Sequence, residues 1–138
     1  RMHNKAKEYF DKAVSLNPKL DLKNKNKVKD KSTDDFQYAL HEFSLEIERN
    51  PNDPLPYFNR GLLYELSGKN NEALQDFDQC IKKDSTFKIV NFYKAQIHKK
   101  TKNYPMAEKE VEVYLRFFPA DKKALLLATE IKKLLGKK

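Results

Sequence analysis

PLPYFNRGLLYELSGKNNEALQDFDQCIKK, residues 54–83, reads as two helices joined by a turn. Pro54 and Pro56 stand where proline is tolerated, in a first helical turn. Tyr57, Arg60, Gly61, Leu63 and Tyr64 follow at helical spacing, and Ser67-Gly68 stops the run. Asn70 or Asn71 starts the second helix, whose apolar stripe is Ala73, Leu74, Phe77, Cys80 and Ile81.

The plan recurs at a fixed distance on both sides. Ala39, Ala73 and Ala107 are 34 residues apart, and Phe43, Phe77 and Val111 follow each of them by four. Ile47, Ile81 and Leu115 keep the register, as do Pro51, Ser85 and Pro119. A period of this length marks stacked supersecondary units rather than one globular core. Residues 88–116 therefore predict a second hairpin, with Phe92, Ala95 and His98 on its first helix. Pro105 opens its second helix, striped by Ala107, Val111, Tyr114 and Leu115. Residues 34–49 predict a second-type helix ending at Asn50-Pro51, with Gly136 stopping a last helix over 122–135.

Between these and the start of the chain the pattern slips. Ala6, Phe10 and Asn17-Pro18 echo Ala39, Phe43 and Asn50-Pro51 at an offset of 33. The intervening LDLKNKNKVKDKSTDD lacks an apolar stripe. The organisation expected is an N-terminal helix of a partial repeat over 1–18, then a Lys/Asn-rich linker or poorly formed helix over 19–33. Repeats follow over 34–121, and a C-terminal capping helix with a basic tail over 122–138.

Composition narrows the function classes. The formal net charge is +8 with 35% charged residues, three glycines and no tryptophan. Positive charge collects in 19–33 and 122–138, whereas acids outnumber bases over 34–121. That distribution argues against a nucleic-acid groove along the repeats. The single Cys80 excludes an internal disulfide framework. No run approaches the ~18 apolar residues of a membrane span, and RMHNKAKEYF has no apolar stretch of a signal peptide. Together these predict a cytoplasmic, reduced setting.

Tyr57, Gly61, Tyr64, Ala73, Phe77 and Ser85 resemble the tetratricopeptide repeat (TPR), and Asn91, Ala95, His98, Ala107, Val111 and Pro119 follow the same pattern. The resemblance implies an all-α fold, an α-solenoid of antiparallel helix hairpins wound as a right-handed superhelix. Gly61 and Ala95 would face Ala73 and Ala107 where the helices of a hairpin approach, and Phe77 and Val111 would fill the gap to the next hairpin. Arg60 and Lys94 depart from the pattern, standing where an apolar residue is usual. In this family the first helices line a concave groove. The matching positions are Leu55, Phe58 and Leu62, then Ile89, Phe92 and Gln96, then Lys123, Leu126 and Glu130. The first two sets form an apolar strip, open to a peptide or covered by the chain itself through residues 3–16.

Some relatives grip chaperone C-terminal carboxylates with five polar residues. Asn59 matches one of these. Ile89 and Tyr93 replace the cations of the third helix, and Asn24 and Val28 occupy the first pair. Chemistry of other kinds is missing from the sequence. His3, His41 and His98 lack metal spacing, Cys80 occupies a core position, and no phosphate-cradling glycine loop occurs. The sequence thus predicts a non-enzymatic interaction module, without cofactor, that binds a protein or peptide partner. The expected contacts are Leu55, Phe58, Asn59, Leu62, Ile89, Phe92 and Gln96. The alternatives are a self-associating homo-oligomer, a chaperone-tail clamp and nucleic-acid binding by the basic segments.

Overall fold

The computed structural model describes the backbone from residue 28 to residue 137 and side chains from residue 35 onward. Among these residues the chain is all helical: α1 (Val28–Arg49), α2 (Pro54–Leu66), α3 (Asn70–Lys83), α4 (Ile89–Lys100), α5 (Tyr104–Phe117) and α6 (Lys122–Leu134). It divides into two compact units, Arg1–Lys83 and Asp84–Lys138. The first holds α1–α3 and the second α4–α6. The expected N-terminal helix over 1–18 lies outside the described residues.

Helix α1 begins at Val28, six residues before the expected start at 34. Of the segment expected over 19–33 to be a linker or a poorly formed helix, the last part is helical. Residues 28–33 bring no apolar stripe of their own, but extending an existing helix adds one hydrogen bond per residue fixed, which is far less costly than nucleation. Ala39 and Phe43 anchor α1 in a core with Leu63 of α2, and Phe36 packs against them.

The sequence period reappears as burial. Ala39, Ala73 and Ala107 are buried, as are Phe43, Phe77 and Val111. Ile47, Ile81 and Leu115 are each half-buried. The turns repeat as well. Gly68, Lys102 and Gly136, 34 residues apart, all adopt the left-handed region at φ 79°, 65° and 75°. Each is followed by a residue whose N–H reaches back over the helix end. Lys69 donates to the Tyr64 carbonyl, Asn103 to His98 and Lys137 to Lys132, each at 2.8 Å. These are the 6→1 bonds that satisfy the orphan carbonyls of a helix C-terminus.

Caps are local. Asp53 accepts from the Leu55 N–H at 3.0 Å and starts α2. Asp121 accepts from Lys123 and Ala124 and starts α6, while its other oxygen takes the Tyr114 hydroxyl at 2.5 Å. One carboxylate thus caps α6 and ties it to α5. Burial and the Asp121 carboxylate hold the Tyr114 phenol well above the usual tyrosine range, so it remains the donor.

Gly61 corrects one expectation. A Cβ there would lie 2.6 Å from Phe77 Cε1 and 2.9 Å from Phe77 Cδ1. Gly61 therefore meets Phe77 most closely, and Phe77 fills space inside its own hairpin. Gly61→Ala should lower stability by about 1–3 kcal/mol through this overlap. Chemical denaturation checks it, and an unchanged midpoint would show that the ring can yield. Lys102→Gly should act in the opposite sense. It relieves about 1–2 kcal/mol of left-handed strain against about 0.5–1 kcal/mol of added glycine entropy, so the thermal midpoint should rise slightly.

Candidate functional site

Helix α2 carries the densest set of sequence-predicted contacts, and the structure brings Leu55, Phe58, Asn59 and Leu62 together on it. All four are buried. Phe58, expected at a groove surface, is fully enclosed and lies 6.1 Å from the Phe77 ring. Its spacing on α2 suits a groove, but the gap left by Gly61 draws Phe77 inward and Phe58 packs against it. It is a core residue.

Asn59 is 1% exposed, and neither Nδ2 nor Oδ1 has a hydrogen-bond partner. A buried amide without partners costs about 1–3 kcal/mol for the group left unmade. Such a deficit is uncommon in a folded chain and asks for a purpose.

In the second unit, α4 holds the other expected contacts. Ile89 is buried, and Phe92 and Gln96 are half-buried. Phe92 packs edge-on against Tyr93 at 5.5 Å and meets Tyr114 of α5 at 5.4 Å. Tyr114 stacks in turn on Phe118 at 4.6 Å. Phe92 is thus one end of an aromatic row, with part of its surface in solvent. His98 is half-buried on the same helix. Cys80 is buried and its thiol sits 3.4 Å from the Pro54 carbonyl; burial raises its pKa far above the ordinary thiol range. Among the described residues, no three His, Cys, Asp or Glu side chains gather as metal ligands would. None of the described helices is long and apolar enough to cross a membrane.

The two apparent departures from the repeat pattern are a paired device. Arg60 of α2 grips Asp76 of α3 by donating Nε and Nη2 to its two carboxylate oxygens, at 2.8 and 2.7 Å, and its Nη1 reaches the Ser44 hydroxyl of α1 at 3.3 Å. Thirty-four residues on, Lys94 of α4 pairs with Glu110 of α5 at 3.2 Å. Asn91 donates to the same Glu110 at 3.1 Å. Each cation stands 16 residues before its acid. Sequence reading could have found this, because opposite charges occupy the same two register positions in both repeats. The hydrogen bond to Asp76 raises the Arg60 pKa. Burial pushes the Asp76 carboxyl up, and Arg60 partly reverses that. Because the acid is deeply buried, its desolvation offsets much of the attraction.

Comparison with known proteins agrees with this architecture. Two family models described as Tetratricopeptide repeat match residues 46–75 and 1–20. The Hsp70-Hsp90 organizing protein of Triticum aestivum is 27% identical over 122 residues, which cover 88% of this chain and 21% of that relative. Hsp70-Hsp90 organizing protein 3 of Arabidopsis thaliana is 31% identical over 90 residues, 65% of this chain and 16% of the relative. The chain thus spans about a fifth or less of these relatives. Among solved structures, the first TPR of Spaghetti (RPAP3) bound to the HSP90 peptide SRMEEVD superposes with a TM-score of 0.71 at 18% identity, covering 92% of this chain and 95% of that one. The second TPR domain of human RPAP3 in complex with the HSP70 peptide SGPTIEEVD gives 0.67 at 18% identity, covering 96% and 98%.

Breaking the Arg60–Asp76 pair from one side should be costly. Arg60→Met leaves a buried carboxylate alone and should lose about 2–4 kcal/mol, whereas Arg60→Met with Asp76→Leu should recover most of it. Urea unfolding of the single and double variants decides the point. The period, the buried alanines and the repeated turns, together with the family matches, show that this chain is built of tetratricopeptide-like helical repeats.

Proposed function

We propose that this chain is a non-enzymatic interaction module that takes an apolar or amphipathic peptide segment on its first-type helices. The observation that carries the reading is the unpartnered amide of Asn59. An asparagine offers one acceptor and two donors, which match the N–H and C=O of a peptide unit. An occupant laid on α2 would satisfy both atoms and bury its own side chains against Leu55 and Leu62. It must part the apolar side chains around Asn59, a cost that the restored hydrogen bonds offset. On α4, considered by itself, Phe92 and Gln96 keep part of their surface available for the same kind of contact.

Two of the similar structures hold acidic chaperone-tail peptides, and that likeness supports a peptide as the class of ligand. The side chains differ from a carboxylate grip in two respects. Arg60 is already committed to Asp76, and α4 presents Ile89 and Tyr93 where a grip would need cations. Recognition here rests on backbone hydrogen bonding and apolar contact, not on a terminal charge.

Peptide display against the whole chain, followed by titration calorimetry, tests this. The selected peptides should bind equally with free or amidated C-termini. Asn59→Ala should weaken those held by α2 about tenfold, with helicity unchanged by circular dichroism. If Asn59→Ala binds like the parent, the α2 assignment is wrong.

A further inference from the structure

Helix α6 shows solvent a face that its counterparts hide. Leu125 is 46% exposed and Leu126 61%. Lys122, Lys123, Lys132 and Lys133 are exposed around them, and none forms an ion pair among the described residues. The acid within α6, Glu130, is taken by Lys99. Asp121 is engaged by Tyr114 and by the helix start. The outer side of α6 therefore carries uncompensated positive charge beside apolar surface.

The 34-residue register identifies this face. Leu125 occupies the position of Tyr57 and Asn91, Thr129 that of Gly61 and Ala95, and Lys132 that of Tyr64 and His98. On α2 and α4 these positions are buried or half-buried. Gly61 of α2 is closed by Phe77 of α3, and Asn91 of α4 bonds to Glu110 of α5. On α6 all three are exposed. In both hairpins the covering element is a helix, and its carboxylate, Asp76 or Glu110, meets a cation of the first-type helix.

We propose that this face of α6 docks an acidic amphipathic helix from a partner protein. Leu125 and Leu126 would be buried on docking, and Thr129 is small enough to let the two helix axes approach. Lys122 and Lys132 would meet carboxylates; the register position of Arg60 and Lys94 is Ala128 here, so these lysines supply the cations from neighbouring positions. The charge complementarity fixes the sign of the occupant, and the register fixes its shape. Leu126 stands at the register position of Phe58 and Phe92, whereas Lys122, Leu125, Thr129 and Lys132 are outside the residues assigned to peptide binding above.

The test uses the whole chain and a fluorescein-labelled synthetic helix with leucine and alanine on one face and glutamate on both flanks. A twin peptide carries lysine for each glutamate. Anisotropy should detect the acidic helix and not its twin, with affinity falling as salt rises. Lys122→Glu with Lys132→Glu should weaken binding about tenfold or more, and Leu125→Asp with Leu126→Asp should abolish it. All four side chains are exposed, so circular dichroism should not change. Asn59→Ala should bind the acidic helix like the parent. Equal binding of the two peptides, or none of either, would overturn the proposal. So would retention of binding by the leucine variant, or capture of anionic vesicles without capture of the acidic helix. Sedimentation showing that a second copy of the chain covers this face, undisplaced by the peptide, would overturn it too.

Discussion

Where α2 crosses α3 there is no space for a side chain at position 61. The Phe77 ring lies within 2.6 Å of where a Cβ would be, closer than real contacts permit. That closeness sets the spacing of the hairpin. It lets Phe58 and Phe77 share one interior and brings Arg60 within reach of Asp76. Widening the crossing would separate the aromatic pair and leave a buried acid short of its partner. The same two register positions in the second unit hold Ala95 and Val111, both buried.

The charged side chains inside the hairpins invert the usual role of polar residues in a repeat array. Bidentate geometry makes Arg60 directional, so it orients α3 as well as holding it. Lys94 has no such fork, and there Asn91 supplies the second contact to the acid. An ion pair of this kind adds modest net stability, because both charges lose water. Its larger effect is on register, since a hairpin slipped by one residue would strand a buried carboxylate.

The fold was legible because its period is carried by small residues, whose size cannot vary without a clash. Ala39, Ala73 and Ala107 could be read as one register, and all three are buried. The sequence alone leaves 19–33 open between a linker and a poorly formed helix, because a residue-by-residue search for apolar stripes cannot see helix propagation from a neighbour; residues 28–33 are helical. Burial around the candidate site was less accessible. Family positions imply which helix face a residue occupies, not what lies over it, so Phe58 could be placed on α2 but not inside the core. The ion pairs were visible in principle. Arg60 and Lys94 look like blemishes when each repeat is compared with a pattern. They become a rule only when the two repeats are compared with each other.

Cys80 gives the first hairpin a built-in gauge of its own motion. Its sulfur is enclosed and faces the Pro54 carbonyl, and burial keeps the thiol protonated. A thiolate-seeking reagent can reach it only while α2 and α3 are apart. Under conditions where closing outruns reaction, the labelling rate is the intrinsic thiol rate scaled by the open fraction. One native side chain therefore converts a slow chemical reaction into a readout of how often this part of the array breathes. No foreign probe has to be introduced into the tightly packed crossing.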